Sequence, residues 1–353
     1  GGAQGRSWIS WADELSWEAG LDLDGLTPQT WVEELPGELK GRVETQGRLT
    51  EQGPVASAAV SLDGRLREQN TALNATGRID GERWDLEALD LAVGDNRLSG
   101  DARQAETLEA ALDFDMRALD QLWPGLSGRI EGALSVRDLL GRPSGQGRVQ
   151  AEALRYEPAD IELAEATLDL DMADALSGSL DLGWRDLGVA GQRIESGSVR
   201  LAGDETDHEL TLALEHRLAK LSLAAEGGWQ EDFWQGQLTG GRVESMNQLW
   251  LQEAPAELRV DPQEQVTLSN HCWRWGDARL CAGDQQLHPQ PQLDLALHEF
   301  PTTAFEPFLP PDMRWDETFS ARVLAEWTDN GPEGTLWVDG ESGQVQVRQT
   351  RFL

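Results

Sequence analysis

Alternation of apolar and polar residues runs through almost the whole chain, and a repeat of two belongs to one kind of secondary structure. Successive side chains of a strand point to opposite faces, so Leu210, Leu212 and Leu214 share one side while Glu209, Thr211 and Glu215 share the other. The pattern recurs at Leu21 and Leu23 against Asp22 and Asp24, and at Ala58, Val60 and Leu62. It continues through Leu89, Leu91 and Val93, then Leu112, Phe114 and Met116, then Leu168 and Leu170, and through Leu221 and Leu223 after a short turn. Asp63-Gly64, Asp80-Gly81, Gly94-Asp95-Asn96 and Asn330-Gly331 read as turns at the spacing of an antiparallel meander.

Helical pattern is confined to three places of similar design. Thr27 and Pro28 read as an N-cap followed by proline at the first helical position, and Pro36-Gly37 reads as a stop, predicting a short helix near 28–35. A second helix is expected over 117–123, with Leu119, Leu122 and Trp123 on one face before Pro124-Gly125. A third is expected over 303–309, with Phe305, Phe308 and Leu309 before Pro310-Pro311. The stop prolines lie about ninety residues apart, or about twice that, which suggests an incomplete repeat. The chain is accordingly divided into a β segment over 1–116, a second over 117–298, and a third, 299–353, that opens with the last helix.

A one-sided sheet must cover its apolar face with helices, with another sheet, or by closing on itself. Three short helices are too few for this many strands. The expected fold is all-β: an elongated, curved antiparallel sheet with a few short helices, packed as sandwiches and barrels or curled around its own aliphatic face as a trough. A bare trough would expose more apolar surface than soluble proteins tolerate without a ligand, and lipid acyl chains would fill it. Aliphatic walls give no directional polar contacts, so they would hold many lipids loosely. The expected lining residues are Leu210, Leu212, Leu214, Leu221, Leu223, Leu268, Leu293, Leu295 and Leu297.

Charge narrows the partners. Asp plus Glu total 63 against 29 Lys plus Arg, a formal charge of -34, so nucleic acid and anionic membrane surfaces are poor partners for the outer face. No run of roughly 18 apolar residues is present, so nothing here spans a bilayer as a helix. The opening Gly1-Gly2-Ala3-Gln4-Gly5 has neither an initiator Met nor a basic and apolar leader, and the expectation is a piece of a longer chain.

The two cysteines, Cys272 and Cys281, flank Gly276-Asp277. If Val266 to Cys272 and Ala278 to Gly283 are the arms of a hairpin spanning 266–283, the sulfurs could face each other as a disulfide, which implies an oxidising compartment. The zinc alternative would recruit His271 or His288, but the spacing matches no recognised ligand set. His208, His216, His271, His288 and His298 form no metal motif, and no nucleophile elbow, P-loop or dinucleotide fingerprint occurs. Nothing argues for an enzyme, a cofactor or a metal.

Several phrases resemble the TamB family, inner-membrane-anchored periplasmic proteins related to the AsmA-like group. They are Ala213-Leu214-Glu215-His216, Leu221 to Gly227, Trp234 to Leu238, the cysteine pair within Ala278 to Ala282, and Glu299-Phe300-Pro301 with Phe308-Leu309-Pro310. Specific matching covers about residues 205–330, and Leu119 to Gly128 carries a weaker family phrase. The resemblance implies a taco-like β-groove and movement of phospholipid between the inner and outer membranes of the periplasm. It also implies work with the outer-membrane barrel TamA in assembling certain outer-membrane proteins, either as the lipid carrier or, alternatively, as a scaffold for client strands. The family's membrane anchor and its C-terminal conserved region are expected to lie outside this stretch.

Overall fold

The computed structural model describes residues 1–11, 14–30, 35–138, 142–172, 177–189, 191–308, 317–328, 331–340 and 343–348. They fall into two compact units, Gly1–Arg193 and Ile194–Leu353. Both are all-β and antiparallel, and no described helix is long and apolar enough to cross a membrane.

The first unit is a meander of β1 (Gly2–Ser10), β2 (Ser16–Leu26), β3 (Gly37–Thr50), β4 (Gly53–Leu66), β5 (Gln69–Asp80), β6 (Arg83–Val93), β7 (Asn96–Gln104), β8 (Leu108–Met116), β9 (Ser127–Arg137), β10 (Ser144–Tyr156), β11 (Ala159–Asp171) and β12 (Ser177–Val189). Each strand pairs with the next in sequence. β13 (Gln192–Asp204) begins at the boundary and leads into the second unit. That unit continues with β14 (His208–His216), β15 (Ala219–Gln230), β16 (Phe233–Ser245), β17 (Gln248–Gln252), β18 (Ala256–Val260), β19 (Val266–Leu268), β20 (His271–Trp275), β21 (Ala278–Ala282), β22 (Gln285–His288), β23 (Gln292–Pro301), β24 (Thr318–Thr328), β25 (Gly331–Gly340) and β26 (Gly343–Arg348).

The described helical residues at the three expected places are all 3-10, and the second helix is shorter than the sequence suggests. Near 28–35 the structure holds a single 3-10 turn, Pro28–Thr30, and residues 31–34 lie outside the described set. Over 117–123 only Leu119–Gln121 is helical, and the third is the 3-10 segment Thr302–Phe308, with Leu309 undescribed. Each occupies a strand-to-strand connection, so few residues are available and a 3-10 turn closes in fewer of them than an α-helix.

Asp80-Gly81 and Gly94-Asp95 form turns as their sequences imply, but Asp63-Gly64 does not. Those two residues lie inside β4, and the chain reverses at Arg67 and Glu68 instead. Gly64 answers a packing demand there: a Cβ on it would stand 2.2 Å from the Glu38 carbonyl oxygen on β3. Glycine inside a strand marks a close backbone approach as readily as a turn.

Candidate functional site

Register converts the alternation of single strands into continuous rows across the first unit. Leu21 on β2 stands opposite Val43, which faces Val60, then Ala75, Leu89, Gly100, Leu112, Leu134, Gly147, Leu168 and Leu180 on β12. A parallel row runs through Leu23, Gly41, Leu62, Leu73, Leu91, Leu98, Phe114, Gly132, Val149, Ala166 and Leu182. The residues between these rows point the other way and are polar: Asp22, Arg42, Ser61, Asn74, Asp90, Ser99 and Asp113 pair in turn. One face of these eleven strands is therefore mainly aliphatic, and across β2 to β8 the other is polar.

The aliphatic face is only partly covered. Leu21, Leu134, Val149 and Leu168 are exposed, with Leu168 at 41%. Fully burying a leucine is worth roughly 1.5–3 kcal/mol, so each half-exposed position forgoes part of that stabilisation unless a ligand covers it. On the polar face the ion pairs Arg42–Asp22, Arg78–Glu87 and Arg103–Glu109 are solvent-exposed. Such pairs contribute at most about 1 kcal/mol each.

Coverage is concentrated at one end of the strands. Leu39, Leu62 and Leu66 form a buried cluster against Leu23, Leu26, Val60 and Leu73. Leu119 of the 3-10 turn is buried as well. Asn96, 2% exposed, ties that turn down: its Nδ2 donates to the Val93 and Ala118 carbonyls, and its Oδ1 accepts from the Ala118 N–H. Arg67 at the β4–β5 turn adds a bond to the Leu122 carbonyl.

In the second unit, the expected lining leucines fall on four strands and none is buried: Leu210, Leu212 and Leu214 on β14, Leu221 and Leu223 on β15, Leu268 on β19, and Leu293, Leu295 and Leu297 on β23. Val199, Leu212, Leu223 and Gly241 form one row, and Leu214, Leu221, Val243 and Trp250 form the next. The first row is carried on by Gln252, opposite Trp273, which faces Leu280, Leu297, Ala321 and Val338. Leu295 sits in the neighbouring row with Ala282, Val323 and Leu336. Leu268 lies apart, between Leu258 and the buried Gln285.

The hairpin expected over 266–283 is divided. Val266–Leu268 is a separate strand pairing with β18 and β22, and the hairpin proper is β20 with β21. Within it Cys272 and Cys281 stand directly opposite, Cα atoms 4.0 Å apart and sulfurs at bonding distance. His271 is engaged locally, its Nδ1 bonded to the Ser269 carbonyl, and His288 Nδ1 bonds the Glu264 carbonyl. His208 donates from Nδ1 to the Asp204 carbonyl, leaving Nε2 to accept from the Trp234 indole.

Beside the hairpin Phe300 packs on Trp250, Trp275, Phe305 and Phe319, closing one end of that face with aromatic rings. Glu253 clamps both hairpin strands, accepting from Arg274 on β20 and Arg279 on β21. The Arg279 hydrogen bond holds its carboxyl below the usual carboxylate range. Sequence reading alone missed this cluster, the clamp, the Asn96 lock and the continuity of the first unit's apolar rows, although alternation marked those strands. Trp250, Trp275, Phe300 and Phe319 are scattered through the chain and only the fold brings them together.

The family model of the TamB N-terminal domain matches residues 1–352. No solved structure matches the chain.

Proposed function

Because the chain belongs to the TamB family, we propose that its aliphatic strand faces act as a hydrophobic groove carrying phospholipid acyl chains between the inner and outer membranes. On this reading the chain works in the periplasm as part of an inner-membrane-anchored protein, and a TamA-like barrel engages regions outside it. No catalytic step is involved. The observation that carries the reading is the pair of apolar rows running through eleven strands of the first unit with half-exposed leucines. Their chemistry suits acyl chains: continuous, aliphatic and without convergent polar groups, so a chain can slide from strand to strand.

The protein purified from cells is expected to release phospholipid on solvent extraction. Leu212→Asp is expected to reduce that lipid by at least half while the β circular dichroism signal stays intact, because a charge on a half-exposed row can hydrate. Extracts free of phospholipid would sink the proposal. Photocrosslinkers at Leu112 and Leu223 that capture client protein strands instead of lipid would favour the assembly scaffold.

A further inference from the structure

Two tryptophans lie on the aliphatic face beside strand ends, one in each unit, and each rests on glycine. In the first unit Trp17 stands opposite Gly47, where a Cβ would meet its ring, and its Nε1 donates to the Thr45 hydroxyl. In the second unit His208, Gly227 and Gly236 stand opposite one another in turn, the next row after Leu210, Ala225 and Leu238 on the same face. A Cβ on Gly227 would lie 2.6 Å from the Trp234 ring, and one on Gly236 closer still, so the indole rests directly on the backbone of β15 and β16. It takes the place that side chains of that row would fill. A ligand chain sliding along Leu210, Ala225 and Leu238 toward the strand ends meets this ring.

The two rings are held by different acceptors. An indole nitrogen only donates, so the 2.7 Å bond from Trp234 Nε1 to His208 Nε2 requires an unprotonated Nε2, with the imidazole proton on Nδ1 and given to the Asp204 carbonyl. A second proton turns Nε2 into a donor facing another donor, and the bond is lost. The Thr45 hydroxyl has no such second state. On the aliphatic face His208 is flanked by Gly203, Gly227, Gly236 and Trp234, none of which titrates. Glu209 and Glu226 pair across the opposite face, and Glu205 and Asp207 of the adjoining turn are exposed. The charge that acts on His208 is Asp204, whose carboxyl is held below the usual carboxylate range by the Thr206 hydroxyl and by the Thr206 and Asp207 N–H groups. It stays anionic while His208 takes its proton, and it draws the imidazolium toward its own turn and away from the indole.

We propose that Trp234 is a proton-operated gate at this end of the second unit's aliphatic face: neutral His208 holds the indole down over Gly227 and Gly236, and protonated His208 releases it, opening the row beneath to an acyl chain. The gate rests on the groove reading above and adds regulation to it. One proton gained at Nε2 and one hydrogen bond broken make up the whole step, with no covalent change. The Trp17 ring, pinned to a hydroxyl, stays in place whatever the pH and serves as the internal control.

The test uses the whole chain with isotope-labelled indole nitrogens, the Trp234 and Trp17 signals being assigned from Trp234→Phe and Trp17→Phe. From about pH 8 to about pH 5, the range in which imidazole changes charge, the Trp234 signal is expected to leave its hydrogen-bonded position while the Trp17 signal stays. In parallel the chain is loaded with a phosphatidylcholine carrying a fluorescent acyl chain and mixed with unlabelled phosphatidylcholine vesicles, whose headgroup keeps no net charge over this range. Release is expected to be about tenfold faster in acid, the effect of turning one hydrogen bond into a donor–donor contact. His208→Gln keeps an amide oxygen acceptor that does not titrate and is expected to release slowly at both ends of the range. Trp234→Phe lacks the N–H and is expected to release fast at both. Equal acceleration of parent and His208→Gln, a Trp234 signal that moves no further than that of Trp17, or a moving signal with constant release each overturns the gate and leaves the groove standing. A chain that takes up none of the fluorescent lipid overturns the groove reading and the gate with it.

Discussion

The regular meander from β3 to β12 and the short-strand patch from β17 to β22 keep their registers by different means. The meander strands are nine to fourteen residues long, and β3 with β4 pairs without interruption from Gly37↔Leu66 to Thr50↔Gly53. A slip of one residue there would turn an entire aliphatic face to the charged side, so length and alternation together hold the register. The patch strands are three to five residues long, and a slip would cost each of them little. That region instead carries the Cys272–Cys281 bridge, the aromatic cluster on Phe300, and the Glu253 clamp, whose backbone N–H also bonds the Cys272 carbonyl. Fastening side chains accumulate where the backbone ladder is too short to be self-specifying.

The severest challenge to this contrast is Phe300→Ala. Removing a buried aromatic ring is expected to cost roughly 3–5 kcal/mol. Hydrogen exchange should show lost protection in β17, β20 and β23 with β3 to β12 unaffected; equal loss in the meander would break the comparison.

Next in size is the bridge. Cys272→Ser with Cys281→Ser, or reduction of the parent protein, is expected to cost roughly 2–3 kcal/mol for a loop this short. The readout is the denaturation midpoint of the second unit, and identical midpoints for oxidised and reduced protein would show that the patch does not depend on its staple.

The smallest effect is expected from Glu253→Gln. Because the folded carboxyl titrates below its ordinary value, its contribution is fully present above the unfolded value and is lost as pH falls through the folded one. The parent should therefore exceed the variant in midpoint at neutral pH, and the difference should close on acidification below the ordinary glutamate range. A difference that persisted in acid would assign the clamp to packing of the two arginines.

Legibility in the sequence divides along the same line. The alternation at Leu210, Leu212 and Leu214, like that at Leu89 and Leu91, announced strands because side-chain period is a local property. Turn chemistry was legible at Asp80-Gly81 and Gly94-Asp95 and misleading at Asp63-Gly64, where glycine serves a neighbouring strand. The helical pattern marked three strand connections, but over 117–123 it overstated a helix that is only Leu119–Gln121, and the stop at Pro310-Pro311 lies outside the described residues. Val266 to Cys272 read as one arm, whereas the structure breaks it at Ser269 and Asn270, with the Asn270 N–H donating to the Asp284 carboxylate.

By itself the sequence determined that the chain is all-β, that each strand has an aliphatic and a polar side, and which family phrases it carries, because these depend on neighbours two residues away or on the order of residues alone. Only the tertiary structure decided that Leu21 and Leu180 belong to one row, that Asn96 ties the Leu119 turn down at one end of the strands, and that Trp250 meets Phe300. Those relations depend on inter-strand register, which is the sum of many weak pairings and is encoded in no single stretch of chain.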